Sequence, residues 1–202
     1  MDGLRPTVVW DVDDVLNDLM AAWLEQVWSA GHPDQPMAPA NVRANPPHEL
    51  LGIALGDYHA SLDEFRVGDG YAAMPPNPAV LAWLDTHGES CRHVALTATA
   101  FRAAPSTAAW VLRHFGRWIR VFAFVPAERP GEDLPQYDAD KGAWLARLQG
   151  PAVLVDDSPA NLAVARAAGA GAVRWPQPWN GGGSPQEALA ELDQWLAKQC
   201  AA

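Results

Sequence analysis

Two places in the chain set aspartates at the end of an apolar run. Val8, Val9 and Trp10 lead into Asp11, Asp13 and Asp14, with Asp18 close behind, and Val153, Leu154 and Val155 lead into Asp156 and Asp157. Carboxylates this close repel one another, more strongly where the flanking run is buried. A hard divalent cation such as Mg²⁺ removes the repulsion, because it takes oxygen ligands and keeps part of its water. In an extended strand, residues two apart point to one side, so Asp11 and Asp13 share a side at the strand's carboxyl end. Open α/β sheets bind ligands at that end. A single acidic pair can instead cap the next helix, through Asp14, Asn17 or Asp18 in the first case and Asp157 or Ser158 in the second. Asp18 is assigned to that capping role. Two acidic strand ends on parallel neighbours would bring Asp11, Asp13 and Asp156 together, which capping does not require.

Two further residues fit a phosphate chemistry. Thr97, in "VALTATA", follows an apolar run and precedes a loop and helix. Its hydroxyl and the exposed N–H groups beyond it can hold phosphate oxygens. Lys141, in "DADKGAWL", opens a helix, where its charge opposes the helix dipole and asks for a partner. In isolation, a strand-end threonine satisfies local backbone and a lysine sits in solvent.

Positioning these residues is the task of alternating strands and helices. Strands are predicted over Thr7–Trp10, His93–Leu96, Ile119–Phe124, Ala152–Val155 and Ala172–Trp175. Helices are predicted over Pro78–Thr86, Thr107–Phe115, Lys141–Leu148 and Pro159–Ala168. This rhythm implies right-handed crossovers and a parallel sheet with helices on both faces. A last helix starts at Ser184 or Pro185, after the flexible "NGGGS", with Leu189, Leu192 and Leu196 on one face. Residues 18–74 break the rhythm. They hold an amphipathic helix over Leu19–Trp28, the proline-rich "GHPDQPMAPANVRANPPHEL" and a second helix around Ser61–Val67. We read residues 1–17 and 75–202 as the core and 18–74 as a helical cap inserted after the first strand. The prolines of "MPPNP" stiffen the return to the core.

Composition narrows the function. The 202 residues are 49% hydrophobic and 19% charged, which suits a globular chain with a sizeable core. A net charge of -10 argues against a nucleic-acid polymer or an anionic membrane as partner. It leaves room for a small phosphorylated ligand neutralised locally by metal. Two cysteines, Cys91 and Cys200, make neither a zinc site nor a disulfide framework. No signal-peptide pattern or membrane-length apolar run is present, so a cytoplasmic protein is expected. The ten tryptophans read as core and cap packing, with a homodimer through exposed tryptophan as a further option.

In this order the motifs resemble the haloacid dehalogenase (HAD) superfamily of phosphohydrolases. "VVWDVDDVL" matches its first motif, "VALT" its second, Lys141 its third and "VLVDD" its fourth. The chain looks most like the 5'(3')-deoxyribonucleotidase-like group, through "DVDDVLND", "YAAMPPNPAVLAWL", "TAAWVLRHFG" and "VDDSPAN" with "RWPQPWN". It departs from that group at Asp14, where many members have glycine, and at "TAT", where Thr-Ser-Pro is usual.

The resemblance implies a Rossmann-like HAD core and a Mg²⁺-dependent phosphomonoesterase. Asp11 would attack phosphorus and form an aspartyl-phosphate. Asp13 would protonate the leaving alcohol and later take a proton from water. The metal would be held by Asp11, the Asp13 backbone carbonyl and Asp156, with Asp157 in support. Thr97 and the Ala98 N–H would hold phosphoryl oxygens, and Lys141 would balance charge near Asp11. Asp14 has no role in this scheme and is expected to point outward or bond within the loop. The cap would act as a lid. Trp23, Trp28, Arg43, His48, Tyr58, Phe65 and Arg66 are its candidates to touch a base, a sugar or a second phosphate, each weighed against simple packing or exposure. "RWPQPWN" either rims the site or packs Trp175 and Trp179 inward. A (deoxy)nucleoside monophosphate is the expected substrate. The alternatives are a sugar phosphate or other small phosphorylated metabolite, and a non-catalytic phosphate- or metal-binding module.

Overall fold

The strands are β1 (Thr7–Trp10), β2 (Arg92–Thr99), β3 (Ile119–Pro126), β4 (Ala152–Asp156) and β5 (Gly171–Arg174). In the computed structural model, which describes residues 5–127 and 129–200, they form one parallel sheet in the order β3-β2-β1-β4-β5. Val8, Val9 and Trp10 are fully buried, as expected of a central parallel strand covered on both faces. Alternation splits them between two cores. Val8 and Trp10 join Leu84, Trp110, Val111 and Leu192 in one, and Val9 joins Leu145, Leu162 and Ala165 in the other. The sheet is therefore the middle of three layers, a Rossmann-like α/β core.

The helices are α1 (Leu19–Trp23), α2 (His48–Leu51), α3 (Leu55–Val67), α4 (Asp69–Ala72), α5 (Pro78–His87), α6 (Ala104–Phe115), α7 (Lys141–Leu145), α8 (Pro159–Ala167) and α9 (Pro185–Cys200). The helix expected over Leu19–Trp28 holds α-geometry only to Trp23, then widens into a π-helical stretch over Leu24–Ser29. Helix α3 starts at Leu55, well before the expected Ser61. Gly56 and Asp57 read locally as a turn, but buried Tyr58 and Leu62 carry the helical face back through them. Tyr58 meets Trp23 edge-on, 5.2 Å between ring centres. Among the described residues, 18–74 contain no strand.

Strand order also locates the cleft. The chain winds from β1 out to β3, then returns to the other side of β1 with β4 and β5. The winding reverses between β1 and β4, and a doubly wound sheet opens a crevice at the carboxyl end of such a switch point. Trp10 is in register with Val155, and the Asp11 N–H extends the pairing to the Val155 carbonyl at 2.9 Å. Asp11 and Asp156 follow those two residues, so both lie at the mouth of the crevice. Strand β2 is longer than expected and pairs with β3 as far as Thr99, which walls one side of the crevice.

Six tryptophans are buried and four, Trp118, Trp144, Trp179 and Trp195, are half-buried. Among the described residues, no helix is long and apolar enough to cross a membrane.

Candidate active site

Lys141 is the centre of the site. Its ammonium lies 2.7 Å from Asp11 Oδ1 and 2.7 Å from Asp156 Oδ2, with only 1% of its side chain exposed. Local sequence explains how it gets there. Asp140 caps α7 by accepting from the Ala143 N–H at 2.8 Å, and Gly142 lets α7 press onto α8. A Cβ at Gly142 would sit 2.7 Å from the Val164 carbonyl oxygen, so any larger residue would lift Lys141 away from the strand ends. The two carboxylates outweigh burial and hold the Lys141 ammonium well above its usual range. Asp156 is anchored further by the Ser158 N–H at 2.8 Å and by Asn161 Nδ2 at 3.1 Å. Burial pushes the Asp11 carboxyl up, Lys141 opposes the shift, and Asp156 and Asp157 add to it.

Asp157 completes the acidic group. One carboxylate oxygen from each of Asp11, Asp156 and Asp157 lies within 4.8 Å of the other two, and all three residues are buried. Burial, with Asp156 beside it, pushes the Asp157 carboxyl up to about 7. Three clustered oxygen donors under this strain suit a hard cation that keeps part of its water. The helix cap itself is Ser158, not Asp157. Asp157 instead accepts from Trp179 Nε1 at 2.7 Å. The "RWPQPWN" segment thus does both things considered for it: Trp175 is packed inward, while Trp179 and Gln177 reach the site.

Asp13 lines the same cavity as Asp11, although the strand that was to align them ends at Trp10. Its carboxylate turns toward the helical segment. Arg66 donates to Asp13 Oδ2 from Nε at 3.0 Å and from Nη2 at 2.9 Å. Tyr71 donates its hydroxyl to Oδ1 at 2.9 Å, and Asn17 donates at 3.2 Å. Asp14 is buried rather than outward. Among the described residues it is the one non-glycine with positive φ (63°), and its Oδ1 accepts from the Met20 N–H at 2.8 Å. Its carbonyl accepts from Gln177 Nε2 at 2.7 Å. Asp18 corrects a prediction: it precedes α1 but its exposed side chain makes no capping bond. Asp14 and Asn17 reach the first helical N–H groups instead, because the tight turn folds them back over the helix end.

The cavity above these residues measures about 390 Å³. Thr97 and Ala98 form part of its wall, though inside β2 rather than after it. Of the cap candidates, Tyr58 and Arg66 line it. Trp23, Trp28 and Phe65 are buried in packing, Arg43 is exposed and bonded to its own turn, and His48 is half-buried away from the opening. Arg129, Asp63 and the Tyr71 that donates to Asp13 are residues the sequence did not flag. Arg129 lines the cavity and grips Asp63, which is 2% exposed and also pairs with Arg66. A larger groove of about 810 Å³ at the amino ends of the strands is lined by none of the candidate residues.

No protein-family model and no curated protein matches the chain. Solved structures do match. A haloacid dehalogenase-like family hydrolase from Streptococcus pneumoniae aligns at 14% identity, over 95% of this chain and 100% of that one, with a TM-score of 0.57. A subfamily IA HAD-superfamily hydrolase from Geobacter sulfurreducens aligns at 17%, over 88% and 91%, with a TM-score of 0.53. CbbY from Rhodobacter sphaeroides, solved in complex with phosphate, aligns at 15%, over 90% of each chain, with a TM-score of 0.54. At these identities the likeness shows the fold alone: a Rossmann-like parallel α/β core of the kind those structures share.

Proposed function

We propose that the protein is a Mg²⁺-dependent phosphomonoesterase that works through an aspartyl-phosphate on a small phosphorylated metabolite. The observation that carries this reading is Lys141 held between Asp11 and Asp156, with Asp157 alongside, at the switch point of the sheet. Asp11 attacks phosphorus and forms the acyl phosphate. Lys141 orients the attacking carboxylate through its Oδ1, which also accepts from the Val12 N–H at 2.8 Å. Asp13 moves the proton, first to the leaving alkoxide and then from the attacking water. In this structure four donor atoms occupy its two oxygens, so Asp13 has to give up at least one of them to carry a proton. Thr97 and the Ala98 N–H, on the wall of the cavity, hold phosphoryl oxygens. Asp11, Asp156 and Asp157, with the Asp13 backbone carbonyl, would hold Mg²⁺. When bound, the ion stabilises negative charge on the phosphoryl oxygens. Residues 18–74 act as a cap that excludes water from the first step.

A sugar phosphate is the leading substrate. CbbY, of like fold, has been solved with a phosphorylated sugar, xylulose-1,5-bisphosphate, in a mutant form, which supports the sugar but not the number of phosphates, and the cavity is near the small end of the range for ligand pockets. A (deoxy)nucleoside monophosphate is the second reading, its support being that a buried aromatic residue, Tyr58, borders the cavity. Phosphate release across sugar phosphates, deoxyribonucleotides and ribonucleotides with Mg²⁺ tests both. Turnover should vanish in Asp11→Asn and with EDTA. Release that survives Asp11→Asn would remove the aspartyl-phosphate route.

A further inference from the structure

We propose that Asp63 makes the cavity selective for esters carrying one phosphate on an otherwise uncharged alcohol; this rests on the phosphatase reading above. The described lining residues include three permanent cations, and each already faces a carboxylate. Lys141 is shared by Asp11 and Asp156. Arg66 is shared by Asp13 and Asp63, with its Nη1 2.9 Å from Asp63 Oδ1. Arg129 holds Asp63 through Nε at 2.6 Å and Nη2 at 3.2 Å. Asp63 is therefore a dry anion that neutralises part of two guanidiniums at once. Burial alone would raise its carboxyl, but the two arginines prevail and hold it below the usual range. Burial and the charge of Arg129 lower the imidazole of His59, also on the wall, which disfavours its charged form.

A phosphoryl group at Asp11 has a metal and Lys141 to answer its charge. A second phosphate elsewhere in the cavity has neither. It must draw Arg129 or Arg66 away from Asp63, which lies behind them, or else lie against Asp13 and Asp14 on the wall with its charge unanswered. An uncharged leaving group meets no such cost, since Tyr58, Leu62, Met20 and Pro46 offer ring and apolar surface. Selectivity of this kind comes from a built-in repulsive group rather than from an extra contact.

Titration calorimetry on the Asp11→Asn protein with Mg²⁺ tests this without turnover. The probes are two matched pairs: glucose 6-phosphate with glucose 1,6-bisphosphate, and deoxyadenosine 5'-monophosphate with its 3',5'-bisphosphate. The monophosphate should bind about tenfold or more tightly than its bisphosphate in at least one pair. Adding Asp63→Asn, or Asp63→Ser, should move that ratio about tenfold toward the bisphosphate. The ratio is taken within each preparation, so a partly unfolded variant does not distort it. Preference for the bisphosphates, an unchanged ratio in both variants, or no binding by any of the four probes overturns the inference. Phosphate release by the unmutated protein is scored separately. Turnover without a ratio shift removes the role of Asp63 alone, and a ratio shift without turnover removes the phosphatase reading alone.

Discussion

Two charge clusters face one cavity with opposite signs at their centres. In one, the Lys141 ammonium lies between Asp11 and Asp156, at 2.7 Å from each. In the other, the Asp63 carboxylate lies between Arg66 and Arg129, at 2.9 and 2.6 Å. Both central groups are nearly dry, so each depends on its partners to offset the cost of burying charge. Their supports differ. Asp11 and Asp156 stand on adjacent strand ends whose register the sheet holds. Asp63 and Arg66 are three residues apart on α3, and Arg129 comes from the loop that follows β3. The difference teaches where each kind of work belongs. Carboxylates whose spacing the sheet register holds stand on strand ends, whereas the group proposed to select, Asp63, stands on a helix and is met from a loop, both of which can vary without disturbing the sheet.

The largest effect should come from removing the central cation. Lys141→Met leaves Asp11 and Asp156 facing each other in a buried site, which should cost about 3 kcal/mol or more in the metal-free protein. Phosphate release should fall by about 100-fold or more, as expected when a charge-balancing group is lost from a reacting centre. Thermal unfolding and kcat measure the two effects. A stable, active Lys141→Met protein would show that the first cluster does not depend on its lysine.

Arg66→Met should do less. Asp13 keeps Tyr71 and Asn17, and Asp63 keeps Arg129, so we expect a loss in kcat of roughly tenfold from a less firmly placed proton carrier. A larger loss than for Lys141→Met would reverse the ranking of the two clusters.

The smallest effect is a pH dependence. In the metal-free fold the Asp157 carboxyl is pushed up to about 7, against about 3.9 in the unfolded chain. Between those values the folded state holds a proton that the unfolded state has released, so stability falls as pH rises from about 4 to about 7. Asp11 and Asp14 are raised as well and act in the same direction. Mg²⁺ held as proposed would bind the ionised carboxylates, so its rise in Tm should be greater at pH 8 than at pH 5, by about 4 °C or more. Equal rises at the two pH values would count against a metal bound by this cluster.

Legibility followed the same division. The acids at the ends of β1 and β4 could be read because an apolar run followed by aspartates is a local pattern with a stated physical oddity. Lys141 could be read because its place opposed the helix dipole and its order matched the other motifs. Arg66 drew notice as a residue able to touch substrate, whereas its guanidinium is committed to Asp13 and Asp63. Arg129, Asp63 and Tyr71 gave no signal. The nearest thing to one was the three-residue spacing of Asp63 and Arg66, which on most helices marks only a solvated pair. Asp18 looked like a cap by type and place, and the fold used Asp14 and Asn17 instead.

The sequence by itself determined the parallel sheet, the run of helices and the acids that gather at the sheet's carboxyl end, because each is written in short-range patterns of burial and charge. Only the tertiary structure decided how Asp13 is held, and that Asp63 stands between two arginines. The deciding contacts, Arg66 and Tyr71 with Asp13 and Arg129 with Asp63, join residues more than fifty positions apart, and the pairing of distant charges depends on packing that no local pattern encodes.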